Sequence, residues 1–270
     1  MAVERVVERE SSLVAFGARG GQPVVLKVLK KPGDEWRSAK VLAAFDGCGV
    51  ARMYEYCDGA LLLEHLSPGH SLASLTLNGK DSEATEVLAG LIQTMSGCEP
   101  PSGCPTVEDW GKGFSRYLAA GHTQIPTELV EEAFRHYSGL CTSQRRPQLL
   151  HGDLQHYNIL FDSSRGWLAI DPKGVVGERE YEVGAFLRNP VEAPASFGSR
   201  AIVERRVNQL GATLTLDLSR ALAWGFAQAV LSAIWSVEDG QEVDASHPAL
   251  RLANAIRPML SAHCRWLESR

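Results

Sequence analysis

Residues 149–160, LLHGDLQHYNIL, place a cluster of polar side chains between two pairs of apolar residues. His151, Asp153, His156 and Asn158 all fall within eight positions. Asp and Asn in a turn often do no more than cap or bend the backbone. Alternate residues of a strand share a face, so His151, Asp153 and His156 are also compatible with a zinc site. The following sequence helps to decide among a surface loop, a metal site and a catalytic centre.

The next residues, FDSSRGWLAIDP at 161–172, predict a short β-hairpin. ILF and WLAI have the composition of strands, and DSSRG between them is typical of a turn. Asn158 follows Asp153 by five positions, and Asp171 follows Asn158 by thirteen. A tight hairpin would bring Asn158 and Asp171 side by side. The zinc hypothesis leaves both spacings unexplained and is the less favoured alternative.

The motif HGDLQHYN, followed by IDP, resembles the catalytic loop and metal-binding segment of the protein-kinase-like fold. Gly152 replaces the arginine of protein kinases, which points to the small-molecule branch, the aminoglycoside phosphotransferases and their relatives. The resemblance implies that Asp153 orients the acceptor hydroxyl and accepts its proton. It also implies that Asn158 and Asp171 hold Mg²⁺. His151 is expected to be a hydrogen-bonding strut of the loop.

The N-terminal sequence predicts a small, mostly antiparallel sheet with one helix. Residues 13–16 and 24–29 read as two strands around GARGGQ, which is also a candidate phosphate-binding turn, although it lacks the full glycine pattern. Residues 35–45 have helical spacing, with Asp34 as the N-cap. ARMYEYCDG and ALLLEHL then read as two further strands.

This order places a lysine and a glutamate where the resembled enzymes use them. Lys27 lies on the second strand, and Glu35 lies on the helix that follows. In protein kinases such a lysine pairs with the α- and β-phosphates of ATP, and the helix glutamate holds it. Glu64 to Leu66 are expected to form a hinge whose backbone meets adenine, although an ordinary edge strand fits this segment about equally well.

Beyond residue 70 the pattern is mainly helical. We predict helices over 82–96, 106–120, 127–141, 200–211, 217–237 and 247–268, and a loop-rich segment over 172–198. The predicted fold is α+β, a bilobal protein-kinase-like fold. A small β-rich nucleotide-binding lobe, with the hinge at its end, covers residues 1–66. A larger helical lobe with the catalytic loop and the substrate site covers residues 67–270.

Two segments narrow the resemblance further. HGDLQHYNIL with its continuation to LRNP, and WGFAQAVLSAIWSVEDG at 224–240, are similar to the streptomycin 6-kinase and hydroxyurea kinase branch of the aminoglycoside phosphotransferase superfamily. This implies transfer of the ATP γ-phosphate to a hydroxyl of a small, often cationic antibiotic such as streptomycin. No protein substrate is expected, because the segment after Asp171 lacks the long activation loop ending in Ala-Pro-Glu.

A cationic substrate would favour carboxylates and aromatic rings around the cleft. The candidates are Glu178, Glu180, Glu182, Glu238, Asp239 and Trp235. Taken singly, each is more typical of a solvated surface residue, and Glu182 could instead anchor the catalytic loop. Two other functions stay open: a metabolite kinase of the same fold acting on an amino alcohol or sugar, and a non-catalytic nucleotide-binding protein.

Composition sets the remaining expectations. The chain has 270 residues and a formal charge of −5, which argues against a nucleic-acid partner. Its most apolar stretch, 221–235, is shorter than the roughly 20 residues that cross a bilayer, so no membrane partner is expected. The N-terminus lacks the apolar run of a signal peptide, and the six cysteines show no CxxC pair. These features predict a cytoplasmic protein with free thiols.

Overall fold

A computed structural model of the protein describes residues 1–31, 34–192 and 197–268. The side chains of residues 34, 35 and 261–268 lie outside that description. The N-terminal region is a five-stranded antiparallel sheet with the order β1-β2-β3-β5-β4. Its strands are β1 (Ala2–Glu8), β2 (Ser12–Arg19), β3 (Gln22–Leu29), β4 (Met53–Cys57) and β5 (Ala60–Glu64).

The predicted hairpin of β2 and β3 is confirmed, with longer strands than expected. All eight positions pair, from Ser12 with Leu29 to Arg19 with Gln22. Gly20 and Gly21 close it with φ of 59° and 81°, the backbone that a two-residue hairpin turn requires. The loop is therefore two residues long instead of the six of GARGGQ.

Two features of this region differ from the sequence-based expectation. Strand β1 was not predicted, because it is an exposed edge strand whose charged residues leave no buried face to detect. Asp34 does not cap an α-helix: Asp34–Arg37 form a 3₁₀ turn, and α1 (Ser38–Phe45) begins after Arg37. Helix α1 ends at Asp46, which has a left-handed φ of 47°.

The second region is mainly helical and contains two small sheets. Its helices are α2 (Leu72–Leu77), α3 (Asp81–Met95), α4 (Val107–Ala119), α5 (Thr127–Thr142), α6 (Arg179–Leu187), α7 (Arg200–Leu214), α8 (Leu218–Glu238) and α9 (Pro248–Glu268). Strands β6 (Pro68–Ser71), β8 (Ile159–Asp162) and β9 (Gly166–Ala169) form one sheet, and β7 (Gln148–Leu150) pairs with β10 (Val175–Gly177). The six predicted helices are confirmed, with ends that agree within three residues.

Helix α6 corrects the prediction of a loop-rich segment over 172–198. Every residue from Tyr181 to Leu187 is buried, so α6 has no polar face and no helical period to read in the sequence. It packs against α8, and Gly184 permits the close approach, because a Cβ there would lie 2.3 Å from Gln228 Oε1.

Helix α8 is the centre of the second region. It is buried along almost its whole length, and α4, α5, α6 and α9 pack against it. A helix surrounded on all sides is apolar on all sides, which explains its composition without a membrane. None of the helices in the described ranges has the length and hydropathy needed to cross a bilayer.

The two regions join beside the catalytic segment. Val50 forms a parallel bridge with Ala169 of β9, and the N–H of Ala51 donates to the Ala169 carbonyl at 2.9 Å. After β5 the chain leaves the first sheet, and β6 pairs with β8 of the second region. The bilobal protein-kinase-like fold is confirmed, whereas the boundary after residue 66 stays a prediction.

Candidate active site

The catalytic loop connects β7 with β8 and is supported by a buried histidine. His151 is fully buried, and its Nε2 lies 2.9 Å from the carbonyl oxygen of Ile170. Its Nδ1 accepts the backbone N–H of Asp153 at 3.3 Å, which assigns the ring proton to Nε2. Burial lowers the pKa of His151, so the neutral ring is favoured. These bonds make His151 a strut of the loop, with no nitrogen left for a metal.

Glu182 of α6 binds the backbone of the same loop. Its carboxylate accepts the backbone N–H of His151 at 2.6 Å and that of Gly152 at 3.0 Å. Because a different oxygen accepts each bond, the ionised form fits this arrangement best. Burial raises the pKa of Glu182 to about 7. The geometry therefore supports Glu182 as the anchor of the loop and not as a substrate ligand.

Gly152 is required by both its backbone and its surroundings. Its φ is +82°, a left-handed conformation that other residues adopt only with strain. A Cβ at this position would also lie 2.7 Å from Cη2 of Trp110. The glycine that replaces the kinase arginine thus allows an indole to lie directly against the catalytic loop.

The three polar residues of the motif converge as the hairpin predicts. The Nδ2 of Asn158 donates to the backbone oxygen of Asp153 at 2.9 Å and to its Oδ2 at 3.1 Å. The N–H of Ile170 donates to the Asn158 carbonyl at 2.8 Å, which places Asp171 beside Asn158. Asp171 has a left-handed φ of 55°, and its Oδ1 lies 3.0 Å from Nζ of the buried Lys27.

These residues fit Mg²⁺ and do not fit zinc. The Asn158 amide nitrogen is bonded to Asp153, so its Oδ1 is left as a hard oxygen donor beside the Asp171 carboxylate. The zinc hypothesis is wrong, because both His151 nitrogens are engaged and the buried His156 stacks on Phe186 at 4.1 Å. No cluster of three or more His, Cys, Asp or Glu residues could hold a metal in the described ranges.

A cleft of about 890 Å³ separates the sheet from the helical region. Lys27, Asn158 and Asp171 line it together with Glu64, His65 and Leu66 of the predicted hinge. Within the described ranges, the Leu66 N–H donates to no backbone carbonyl. The Glu64 carboxylate accepts the Arg52 N–H at 2.9 Å and pairs with Arg165, so only its backbone can meet a nucleotide. The side chain of Glu35 lies outside the described residues, and its pairing with Lys27 stays a prediction.

The candidate phosphate turn GARGGQ does not line the cleft. The cleft is lined by Arg9, Ser11 and Ser12 of the β1–β2 turn, and not by GARGGQ. Lys27 pairs with Val14 near the β1–β2 end of the hairpin, whereas Gly20 and Gly21 close its opposite end. GARGGQ became the candidate because β1 was not predicted. Without β1, the turn between β2 and β3 is the first turn of the sheet.

A second cavity, of about 630 Å³, opens on the other side of Asp153. We call it the acceptor pocket. Three predicted substrate residues, Trp235, Glu238 and Asp239, line it at the end of α8. Trp110 of α4 also lines the pocket, with its ring perpendicular to Trp235 at a centroid distance of 5.7 Å.

Glu178 and Glu180 are not in this pocket, which corrects their prediction as substrate ligands. The Glu178 carboxylate is buried and accepts hydrogen bonds from Arg220 Nε at 2.9 Å and Trp224 Nε1 at 2.5 Å. Glu180 accepts the backbone N–H of Asp217 at 3.2 Å, at the start of α8. Both carboxylates therefore join α6 to α8 and face away from the acceptor.

The acceptor pocket has a mixed charge instead of the expected excess of carboxylates. Its charged side chains are Asp109, Asp153, Glu238, Asp239, Arg37, Arg116, Lys173 and Arg188. Glu238 is paired with Arg116 through bonds of 2.9 and 3.1 Å. Hydrogen bonds from Lys112 and Thr106 lower the pKa of Asp109 to about 2. Asp239 makes no ion pair with any residue of the described ranges and is the carboxylate most available to a cation.

Sequence reasoning missed several residues of both cavities: Arg9, Ser11, Ser12, Asp109, Trp110, Arg116, Lys173, Arg188 and Gln228. Most come from elements far from the motif in the chain, and no local pattern distinguishes Trp110 from a core tryptophan of α4. Lys173 is the exception. It lies two residues after Asp171, close enough to the motif to have been considered.

A nucleotide-sized cleft with Lys27, Asn158 and Asp171, which meets a small acceptor pocket at Asp153, defines a phosphotransferase of the protein-kinase-like fold. Its acceptor pocket is suited to a small molecule. The chain belongs to the aminoglycoside/hydroxyurea antibiotic resistance kinase family, whose model matches residues 2–240. The resemblance predicted from the catalytic motif is thereby confirmed.

Curated relatives cover most of the chain. A streptomycin 3''-kinase from Klebsiella pneumoniae is 34% identical over 238 residues, which are 85% of this chain and 86% of the relative. A streptomycin 6-kinase from Streptomyces griseus is 29% identical, with coverage of 86% and 76%. A hydroxyurea phosphotransferase from Kitasatospora aureofaciens is 30% identical, with coverage of 82% and 64%.

Solved structures support the fold alone, because their sequences are distant. A thermostable mutant of aminoglycoside phosphotransferase APH(4)-Ia, in a ternary complex with AMP-PNP and hygromycin B, has a TM-score of 0.69 and 16% identity, with coverage of 95% and 94%. Choline kinase LicA from Streptococcus pneumoniae has a TM-score of 0.66 and 13% identity, with coverage of 97% and 94%.

Proposed function

We propose that this protein inactivates streptomycin by transferring the γ-phosphate of ATP to one of its hydroxyl groups. The observation that carries the proposal is the position of Asp153, whose side chain borders both the nucleotide cleft and the acceptor pocket. Streptomycin is chosen as the acceptor because two of the relatives are streptomycin kinases. The need for ATP favours the cytoplasm as its location.

Each part of the cleft has a proposed task. Lys27 binds the α- and β-phosphates, supported by Glu35, and the backbone from Glu64 to Leu66 meets adenine. Asn158 and Asp171 hold Mg²⁺, which neutralises charge on the transferred phosphoryl group when it is bound.

Asp153 accepts a hydrogen bond from the acceptor hydroxyl and takes its proton. Its orientation is set by Asn158 Nδ2 and by the buried His151. Most of the rate enhancement then comes from positioning and charge stabilisation and not from covalent chemistry by the protein.

The acceptor pocket offers two kinds of surface to a cationic substrate. The perpendicular indoles of Trp110 and Trp235 can each face a guanidinium or ammonium group. Asp239 supplies a carboxylate without a partner in the described ranges. A substrate with several cationic groups, such as streptomycin, can use both surfaces at once.

A small amino alcohol such as choline is the second candidate, because perpendicular indoles also suit a single quaternary ammonium group. The pocket volume of about 630 Å³ favours the larger antibiotic. We expect no protein substrate and no nucleic-acid or membrane partner.

The decisive experiment measures ADP release by the purified protein with ATP and Mg²⁺ over a panel of acceptors. The panel contains streptomycin, other aminoglycosides, hydroxyurea, choline and ethanolamine, and the product is identified by mass spectrometry. We expect kcat/KM to be highest for streptomycin. A higher value for hydroxyurea, choline or ethanolamine would contradict the proposed acceptor while preserving the reaction class.

A further inference from the structure

One lysine outside the recognised motif lies where the two cavities meet. Among the described residues, Asp153 and Lys173 are the two that line both the nucleotide cleft and the acceptor pocket. A phosphoryl group that leaves ATP in the cleft and joins an acceptor in the pocket must cross this junction. Its negative charge therefore passes close to Asp153 and Lys173.

The backbone of Lys173 is fixed to the catalytic loop. Its N–H and that of Gly174 both donate to the carbonyl oxygen of His151, at 2.9 and 3.0 Å. Gly174 has a φ of +74°, and a Cβ there would lie 2.3 Å from Cγ2 of Val41, so the chain is closely packed against α1. The backbone of Lys173 is thus hydrogen-bonded to His151, two residues before Asp153.

Lys173 differs from four other lysines of the chain, which form ion pairs, and it is the lysine that lines both cavities without such a pair among the described residues. Lys27 pairs with Asp171, Lys30 with Glu8, Lys80 with Glu83 and Lys112 with Asp109. Lys173 makes no ion pair with any residue in the described part of the chain, and the residue is exposed. A cation that is placed between two ligand cavities and is not neutralised is suited to an anionic group of a ligand.

We propose that Lys173 is a catalytic residue that binds the γ-phosphoryl oxygens during transfer; the proposal rests on the phosphotransferase function above. The acceptor oxygen forms a bond to the γ-phosphorus while the bond from that phosphorus to the β–γ bridging oxygen breaks. The electron pair of the broken bond leaves with ADP, and the hydroxyl proton passes to Asp153. Lys173 stabilises the charge on the equatorial oxygens between these two events, where no side chain of the motif provides a second cation.

The test compares Lys173→Met with Lys173→Arg, since methionine has a similar length without the charge and arginine keeps the charge. We expect kcat for streptomycin to fall about 10²–10³-fold in Lys173→Met, the usual loss when one donor to a transition-state charge is removed. Lys173→Arg should keep most of the activity. The affinity for ATP, measured by calorimetry, should change little in either variant. Lys80→Met removes an exposed lysine just before α3, far from both cavities, and is the matched control, with activity equal to wild type.

Chemical rescue separates a charge from a structural role. Adding methylammonium to Lys173→Ala should raise kcat with saturation, because the truncated side chain leaves a solvent-accessible gap, whereas Asp153→Asn should not respond. Wild-type kcat in Lys173→Met, or parallel losses of ATP affinity and kcat without rescue, would overturn the proposal.

The role of Lys173 can be tested even if streptomycin is not the acceptor. A wild-type protein that binds ATP but phosphorylates no acceptor would refute the streptomycin kinase function. The same variants would then be compared in ATP hydrolysis, where water receives the phosphoryl group at the same junction. A loss of hydrolysis in Lys173→Met with rescue of Lys173→Ala by methylammonium would still support Lys173, and equal hydrolysis in all variants would overturn it.

Discussion

The nucleotide cleft and the acceptor pocket meet at Asp153, yet they are built in different ways. The catalytic end of the cleft comes from one stretch, residues 151–171, and is held by buried groups such as His151 and Glu182. The acceptor pocket combines residues that lie far apart in the chain, from Arg37 to Asp239, most of them on or next to α4, α6 and α8.

This difference separates the chemistry from the choice of substrate. The reacting groups depend on a hydrogen-bonded local unit. The acceptor pocket is lined by side chains of distant helices, of which Trp110 also lies against the catalytic loop at Gly152. Variants on the two sides should therefore affect different kinetic constants, and the size of the effect should decrease from the loop to the pocket surface.

The largest effect is expected for Asp153→Asn, which keeps the shape of the side chain but removes the carboxylate. We expect kcat to fall about 10²–10⁴-fold, the usual contribution of a positioned general base. The affinity for ATP should stay within about twofold, because Lys27 and Asp171 are intact. Steady-state kinetics and calorimetry check both quantities. Undiminished turnover would remove Asp153 from the mechanism and the basis for comparing the two cavities.

Glu182→Gln tests the support of the loop and its pH dependence. Burial raises the pKa of Glu182 to about 7, so the carboxylate is ionised above that pH and accepts both backbone N–H groups. As the pH falls through 7, protonation removes one acceptor and loosens the loop. Wild-type kcat should therefore decline on the acid side with an apparent pKa near 7.

In Glu182→Gln one buried N–H loses its acceptor at every pH, a cost of about 1–3 kcal/mol. We expect kcat at pH 8 to fall about tenfold to hundredfold. The decline near pH 7 should disappear, and pH–rate profiles of both proteins provide the measurement. A variant that keeps the wild-type acid limb would show that another group titrates there.

Gly152→Ala affects both the catalytic loop and the acceptor pocket, because the added Cβ would meet Trp110, which lines the pocket. We expect a loss of about 1–3 kcal/mol in the free energy of unfolding from the steric conflict, together with a higher KM for streptomycin. Gly103→Ala is the matched control. It has a similar φ of +77° but nothing within 4 Å of the added Cβ, so only backbone strain of about 1–2 kcal/mol is expected. Equal unfolding energies and equal KM values in the two variants would argue against the contact with Trp110.

Asp239→Asn and Glu238→Gln compare an available carboxylate with a paired one. Asp239→Asn should raise KM for streptomycin about twofold to fivefold, as expected for an exposed ion pair worth up to about 1 kcal/mol. Glu238→Gln should have a smaller effect, because Arg116 already neutralises Glu238. KM values at low and high salt give the measurement. A larger effect of Glu238→Gln would assign the cation to the other carboxylate.

The smallest effect is expected on KM for ATP, in variants placed at the two ends of the β2–β3 hairpin. Arg9→Ala should raise KM for ATP about twofold to threefold, because Arg9 borders the cleft and its exposed charge is largely solvated. Gly21→Ala should leave that KM unchanged and lower only the thermal stability, since Gly21 has a φ of +81° at the far end of the hairpin. A higher KM in Gly21→Ala alone would restore the glycine turn as the phosphate site.

The sequence by itself determined the catalytic loop, the hairpin after it and six of the helices. In each case the signal is local. The loop residues lie within a few positions of one another, the hairpin has strands on both sides of a turn, and amphipathic helices such as α4 and α5 show their period directly. Asn158 and Asp171 could be paired because thirteen residues of hairpin fix where the chain returns.

Only the tertiary structure decided which remote side chains meet at the junction. It placed Trp110 against Gly152, directed Glu178 into a buried pair with Arg220, and brought the β1–β2 turn to the cleft instead of GARGGQ. Helix α6 escaped prediction because it is buried on all sides, and β1 because it is exposed on nearly all. Periodicity reports a difference between two faces, so an element without such a difference, or a contact between distant elements, becomes visible only when the chain is packed.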